Sequence, residues 1–245
     1  MVPDVFRSRL HLLYSLYKRN RASLQTWMTT ARRYDAPIDP FELQWVDPAT
    51  IELLQEGRSR FRNRSSAVCL VEDGDWDRQV SRFEDHDMYV SFEQHFLEGA
   101  DWQETPWVQR VTSEIEDQGL TLYGCESAEE FYERCSGLDA VFENIRENGY
   151  TTQRELIHGS TDNEMGHTWA YYCPELHEIS VNVARDGEFI FWDGWHRCTM
   201  SKVLGLEEVP VRVFVRHSEW QAKRDRVANG AEVVEDPGHP DLAGL

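Results

Sequence analysis

The run Trp192-Asp193-Gly194-Trp195-His196-Arg197 gathers a carboxylate, a glycine, an imidazole and a guanidinium within six positions. A strand that ends in a glycine turn and opens a helix points free backbone N–H groups and the positive helix end at one place. That arrangement is an anion site by construction. His196 and Arg197 fall in the first helical turn, where they could add charge and hydrogen bonds to phosphate oxygens. Asp193 cannot itself bind phosphate favourably. It could hold a metal ion, orient His196, or accept a proton from an attacking hydroxyl. The same residues also read as an N-cap aspartate, a turn glycine and two surface side chains, so the flanking elements must decide.

Those elements favour the site. Ile179, Val181 and Val183 alternate as in a half-buried strand, Arg185-Asp186-Gly187 makes a hairpin turn, and Glu188 to Trp192 is the return strand. A helix is predicted from about His196 to Leu204, stopped by Gly205, with another strand from Val209 to Arg216. Upstream, Thr105-Pro106 before Val108, Val111 and Ile115 opens a helix that Gly119 ends. Ser127 with Glu130 is a capping box, and an apolar face from Phe131 to Ile145 carries a second helix to Asn148-Gly149. Residues 35–50 predict an extended lead into a short strand. Ala67 to Val71 is another, closed by Glu72-Asp73-Gly74-Asp75. Residues 157–177 read as a loop, and the last fifteen as a frayed tail.

In this order the pieces resemble ParB-like and sulfiredoxin-like domains. There a helix leads through a glycine, a strand ends in a Gly-x-[His/Arg]-Arg turn, and the next helix runs to Leu-Gly and a Val-Pro-Val strand. The matching residues are Leu138-Asp139, Ile145 and Gly149-Tyr150, then Phe189 to Arg197, then Val203-Leu204-Gly205 and Val209-Pro210-Val211. Together they span about a third of the chain. The resemblance implies an α+β fold of mixed sheet and short helices over residues 126–220. A family-specific α+β region, mainly helical, would precede it at 35–125, and 221–245 would be a helix end and flexible tail. It further implies that Gly194, Trp195, His196 and Arg197 cradle the phosphates of ATP, ADP or CTP with Mg2+. Asp193 and His196 would be catalytic, and Asp193 the metal ligand.

The departures from the family pattern shape the functional expectation. Trp195 stands where sulfiredoxins carry their reactive cysteine, and Cys198 reads as a small core residue. About thirty residues follow His217, so the helix-turn-helix that ParB proteins place there is not expected. The turn is closest to the Asp-Gly-His-His-Arg of archaeal free-serine kinases, which points to a nucleotide-dependent phosphotransferase or hydrolase. The alternatives are a DNA- or surface-associated adaptor with a nucleotide switch, and a non-catalytic structural protein.

Forty-four acids against 25 bases give a net charge of −19, and the only lysines are Lys18, Lys202 and Lys223. So acid-rich and lysine-poor a chain resembles proteins of halophilic archaea, whose molar salt screens self-repulsion. Residues 1–34 break the pattern, with seven bases and one acid, and they predict a basic amphipathic helix. Its candidate partners are an anionic membrane surface, DNA, an acidic protein, or the protein's own acidic body. Five scattered cysteines without a Cys-x-x-Cys pair suggest neither disulfides nor zinc, and no apolar run reaches membrane length, so a cytoplasmic location is expected. Two weaker metal readings exist. One joins His158, His167 and His177 with Asp162 and Glu164; in the other Asp73, Asp75 and Asp77 resemble half of a calcium loop, the competing readings being a solvated acidic turn and a hard-cation ligand for the nucleotide site.

Overall fold

A computed structural model of the protein describes residues 4–56, 69–159, 173–232 and 238–245. The architecture is α+β: one mixed sheet with helices packed on it. Its strands are β1 (Gln44–Val46), β2 (Leu53–Gln55), β3 (Leu70–Glu72), β4 (Val80–Arg82), β5 (Ile179–Val183), β6 (Phe189–Asp193) and β7 (Val209–His217). The order across the sheet is β1-β7-β5-β6-β2-β4, with β3 also pairing β7.

The valine- and isoleucine-rich segments take the centre, as β-branched residues buried on both faces should. All five residues of β5 are buried, including Ser180 and Asn182. β5 pairs antiparallel with β6 through the hairpin at 184–188, and parallel with β7, Val181 lying opposite Val213. The segments Phe189–Trp192 and Val209–Val215 therefore share one sheet, with β5 between them. β2 runs parallel to β6, β1 antiparallel to β7 and β3 parallel to it.

The helices are α1 (Asp4–Thr29), α2 (Asp87–Glu93), α3 (Pro106–Gln118), α4 (Ala128–Asn148), α5 (Gln153–Gly159), α6 (Trp195–Val203) and α7 (Ser218–Ala228). Apolar faces of α2, α3 and α4 meet in one cluster containing Phe92, Trp107, Val111, Phe131 and Phe142, joined by Met200 of α6. The expected boundary at 125/126 thus falls between two helices of one core. β1 to β4 also belong to the sheet of β5 to β7, so residues 35–125 and 126–220 build a single sheet rather than two successive units.

Helix ends follow local chemistry, with two changes from the expected caps. Ser127 Oγ accepts the Glu130 N–H at 3.2 Å as a capping box requires, but Glu130 reaches back to the Glu126 N–H instead. Thr105 donates its hydroxyl to the Trp102 carbonyl. Ser91 of α2 supplies the acceptor for the Trp107 N–H at 2.8 Å, tying the two helices together. No helix among the described residues is long and apolar enough to cross a membrane.

The C-terminal residues differ most from expectation. Rather than fraying, Asp241 and Leu242 are buried. Asp241 accepts from Arg216 at 2.6 and 2.9 Å, from Trp220 Nε1 at 2.8 Å and from Gln44 at 2.5 Å. Arg224 donates to its backbone carbonyl. Burial alone would raise the Asp241 carboxyl, but Arg216 and Arg224 outweigh it and hold the group at about 2. Its folded value lies below its unfolded one, so the stability it confers is full above about pH 4 and lost as pH falls toward 2. Asp241→Ala strands two buried guanidiniums and is expected to cost about 3–5 kcal/mol in chemical denaturation at pH 7. A cost under about 0.5 kcal/mol, typical of an unattached surface residue, would contradict this anchoring.

Candidate functional site

The β6–α6 junction is set by a close approach. Gly194 adopts φ +96°, and a Cβ there would lie 3.0 Å from the Ile179 Cα at the start of β5. The left-handed backbone and this tight approach both disfavour a side chain. The first bond of α6 runs from the Cys198 N–H to the Gly194 carbonyl at 3.0 Å, and no side chain caps the helix. Asp193, exposed at the end of β6, accepts the Gly194 N–H at 2.8 Å. A carboxylate and the positive end of a helix therefore sit side by side at the carboxyl end of β6.

Three successive residues then diverge, because a helix turns about 100° per residue. Trp195 packs against Phe191 and Phe83, ring centroids 4.6 and 5.3 Å away, with His86 at 4.2 Å. His196 enters the helical core, stacked on Phe92 at 6.0 Å and edge-on to Trp107 at 5.9 Å. Its Nε2 is buried without a hydrogen-bond partner. Burial first, then Arg134 and Arg197, push its imidazole down to about 4, so it is neutral near pH 7.

Arg197 turns to a third environment. Its Nη1 donates to Glu178 Oε2 and to the Tyr150 hydroxyl, both at 3.0 Å, and Nη2 donates to the His177 carbonyl. Glu178 is 1% exposed, and it also accepts from Tyr150 at 2.8 Å and the Gln153 N–H at 2.5 Å. Burial pushes its carboxyl above the usual range despite these partners. The guanidinium thus ties the start of β5 to the α4–α5 connection.

The structure therefore brings Asp193, Gly194 and the α6 N-terminus together, while His196 and Arg197 direct their side chains to separate partners. Beside Trp195 lies a feature that sequence reasoning missed. A cleft of about 380 Å³ runs between the β2 end and α2–α3, lined by Leu54, Gln55, Glu56, His86, Met88, Arg110, Tyr123 and Trp195. It continues past Arg82 and Asp85. Arg110 within it is paired with Asp87 at 2.5 Å and Glu114 at 3.1 Å. Its residues come from four separate elements, so no local motif announces it.

The other candidates have structural roles. Arg185 is the cation of the Asp73–Asp77 turn, donating to both oxygens of Asp77 at 2.7 Å and to Asp75 at 2.9 Å. Burial would raise Asp77, but Arg185 holds it below its ordinary value. Cys198 is fully buried, and burial pushes its thiol up to about 12, which fits an inert core residue. Of the histidine cluster, Asp162, Glu164 and His167 lie outside the described residues, as does the His158 side chain; the His177 carbonyl serves Arg197. Among the described residues no group of histidine, cysteine and carboxylate side chains is arranged to hold a metal ion.

What the fold and site define is an α+β protein with an uncapped glycine turn at the carboxyl end of a central strand. No protein-family model, curated protein or solved structure matches the chain.

Two outcomes follow from these contacts. His196 has a folded value below its unfolded one, so its contribution to stability is full above about pH 6.5 and lost as pH falls through about 4. The slope reaches at most about 1.4 kcal/mol per pH unit. His196→Phe should flatten denaturation midpoints over that range, whereas a parallel fall in both proteins would contradict a buried neutral imidazole. Arg197→Ala should cost about 3 kcal/mol in ligand-free protein, because Glu178 is left buried and unpaired. An unchanged midpoint would show that the guanidinium is free for a ligand.

Proposed function

We propose that the protein binds a nucleotide by its phosphates at the N-terminus of α6 and is a ParB/sulfiredoxin-like phosphotransferase or hydrolase. The observation that carries this reading is the start of α6, which no side chain caps and which opens at the left-handed Gly194 beside the exposed Asp193. A bare backbone turn of this kind suits an anion that must approach the main chain closely. The aromatic-floored cleft next to Trp195 is large enough for the organic part of a nucleotide.

In this reading the phosphate oxygens accept from backbone N–H groups of the first α6 turn. Asp193 is exposed and next to that point, so it is the residue to hold Mg2+ with the phosphates or to accept a proton from the attacking hydroxyl. His196, neutral and packed among rings, shapes the turn rather than donating charge. Arg197 is a positioning residue that holds the turn against β5 through Glu178, and its charge adds to the local field without a direct clamp. No specific observation favours the DNA-bound adaptor. The outward side of α1, which that reading needs to be basic, is mostly apolar among the described side chains.

A thermal-shift series with ATP, ADP, CTP and GTP plus magnesium in molar potassium chloride tests the reading. One nucleotide at a hundred times its Kd should stabilise the wild type by about 2.7 kcal/mol. Asp193→Asn should keep that stabilisation and lose phosphate release or transfer. If no nucleotide shifts the wild type, the turn is purely structural. If Asp193→Asn turns over normally, the carboxylate has no part in the chemistry.

A further inference from the structure

Helix α1 is mounted with its polarity reversed. An amphipathic helix on a globular body buries its apolar stripe, yet here, among the described side chains, the inner side carries polar residues. Thr26 is 1% exposed, and Arg19 turns inward to pair with Glu175 at 2.8 Å and to cover the Phe41 ring at 4.0 Å. The outer side carries Leu13 (66% exposed), Leu16, Leu24, Trp27 and Met28, each about half exposed or more. Exposing so much contiguous apolar surface on one helix is costly unless something covers it.

The spacing identifies the cover. Leu13, Tyr17, Asn20, Leu24 and Trp27 follow one another at alternating steps of four and three residues. Phe6 and Leu10 continue the same steps toward the N-terminus in sequence. Sustained alternation of this kind over three heptads is the seam of a coiled coil. We propose that α1 pairs in parallel, in register, with α1 of a second copy of this chain.

Three further observations fit that occupant. Asn20 sits in the middle of the seam, three residues after Tyr17 and four before Leu24, where in-register pairing brings the two amides within reach of each other. In parallel pairing the flanking positions of the described side chains bring Leu16 opposite Arg21 and Ser23 opposite Met28, so no two cations meet there. Finally, the seam residues Leu13, Leu24 and Trp27 are exposed, on the side of α1 away from the Arg19 and Thr26 that face the body. A lipid surface fits less well. The buried centre of the stripe would hold Asn20 in hydrocarbon, and residues 35–245, which carry a net −25, would be repelled by anionic headgroups.

The test is the mass of the full chain in solution with residues changed on the outer face of α1. Light scattering on a sizing column in molar potassium chloride should give a dimer for the wild type and a monomer for Leu13→Glu/Leu24→Glu, with unchanged thermal stability of the body. Asn20→Cys should cross-link to a covalent dimer under mild oxidation, because the five native cysteines are buried. Ala22→Cys, on the inner side, should not. A monomeric wild type, a charged variant that remains dimeric, or cross-linking at Ala22 but not Asn20 would overturn the proposal. A monomer that floats with vesicles of one-third phosphatidylglycerol, and loses this in the charged variant, would assign the face to lipid instead.

Discussion

The contact between Gly194 and Ile179 governs how the sheet and the helices meet. With a Cβ excluded at 3.0 Å from the Ile179 Cα, α6 can start directly beside the first residue of β5. That start places Trp195 over Phe83 and Phe191 on one side and His196 over Phe92 on the other. The sheet core and the helical core are therefore joined through two neighbouring residues of one helical turn. A side chain at 194 would be strained by the left-handed backbone and would crowd the first residue of β5, which gives the glycine a structural role independent of any ligand.

Around that junction the chain uses its arginines as internal ties. It has far more acids than bases, and several arginines are spent on buried or half-buried carboxylates rather than on the surface. Arg197 with Glu178 holds the start of β5, Arg185 with Asp75 and Asp77 clamps the turn after β3 to the β5–β6 hairpin, and Arg216 with Asp241 pins the C-terminus beneath α7. The planar guanidinium, which donates to two oxygens at once, suits each place better than an ammonium. Such pairs cost desolvation and contribute little net stability as units, but removing one partner is expensive. They specify where each loop attaches.

Local signals made much of this legible. The alternation in β5 and β7, the hairpin glycine, the proline and glycine bounding α3, and the serine before α4 each act within a few residues, and each element formed within one or two positions of where they put it. The Asp193-Gly194 turn was legible for the same reason. What the sequence could not reveal was direction. Whether Arg197 faces a ligand or Glu178 depends on where residue 178 lands, and that follows from the register of β5 against β7. The same holds for Asp241, whose Pro- and Gly-rich surroundings read as a loose end until Arg216 and Arg224 are placed beneath it. The cleft, assembled from β2, α2, α3 and α6, has no local signature at all. The inversion of α1 shows the converse. Periodicity identified an amphipathic helix, but not which face would meet the body.

Backbone amide shifts report on the α6 turn itself. Titrating 15N-labelled protein with the best-binding nucleotide, and separately with inorganic phosphate, should move the His196 and Arg197 N–H resonances most. Phosphate alone should reproduce the direction of the shift. If both ligands leave these amides unmoved while resonances elsewhere respond, the α6 N-terminus is not the anion site.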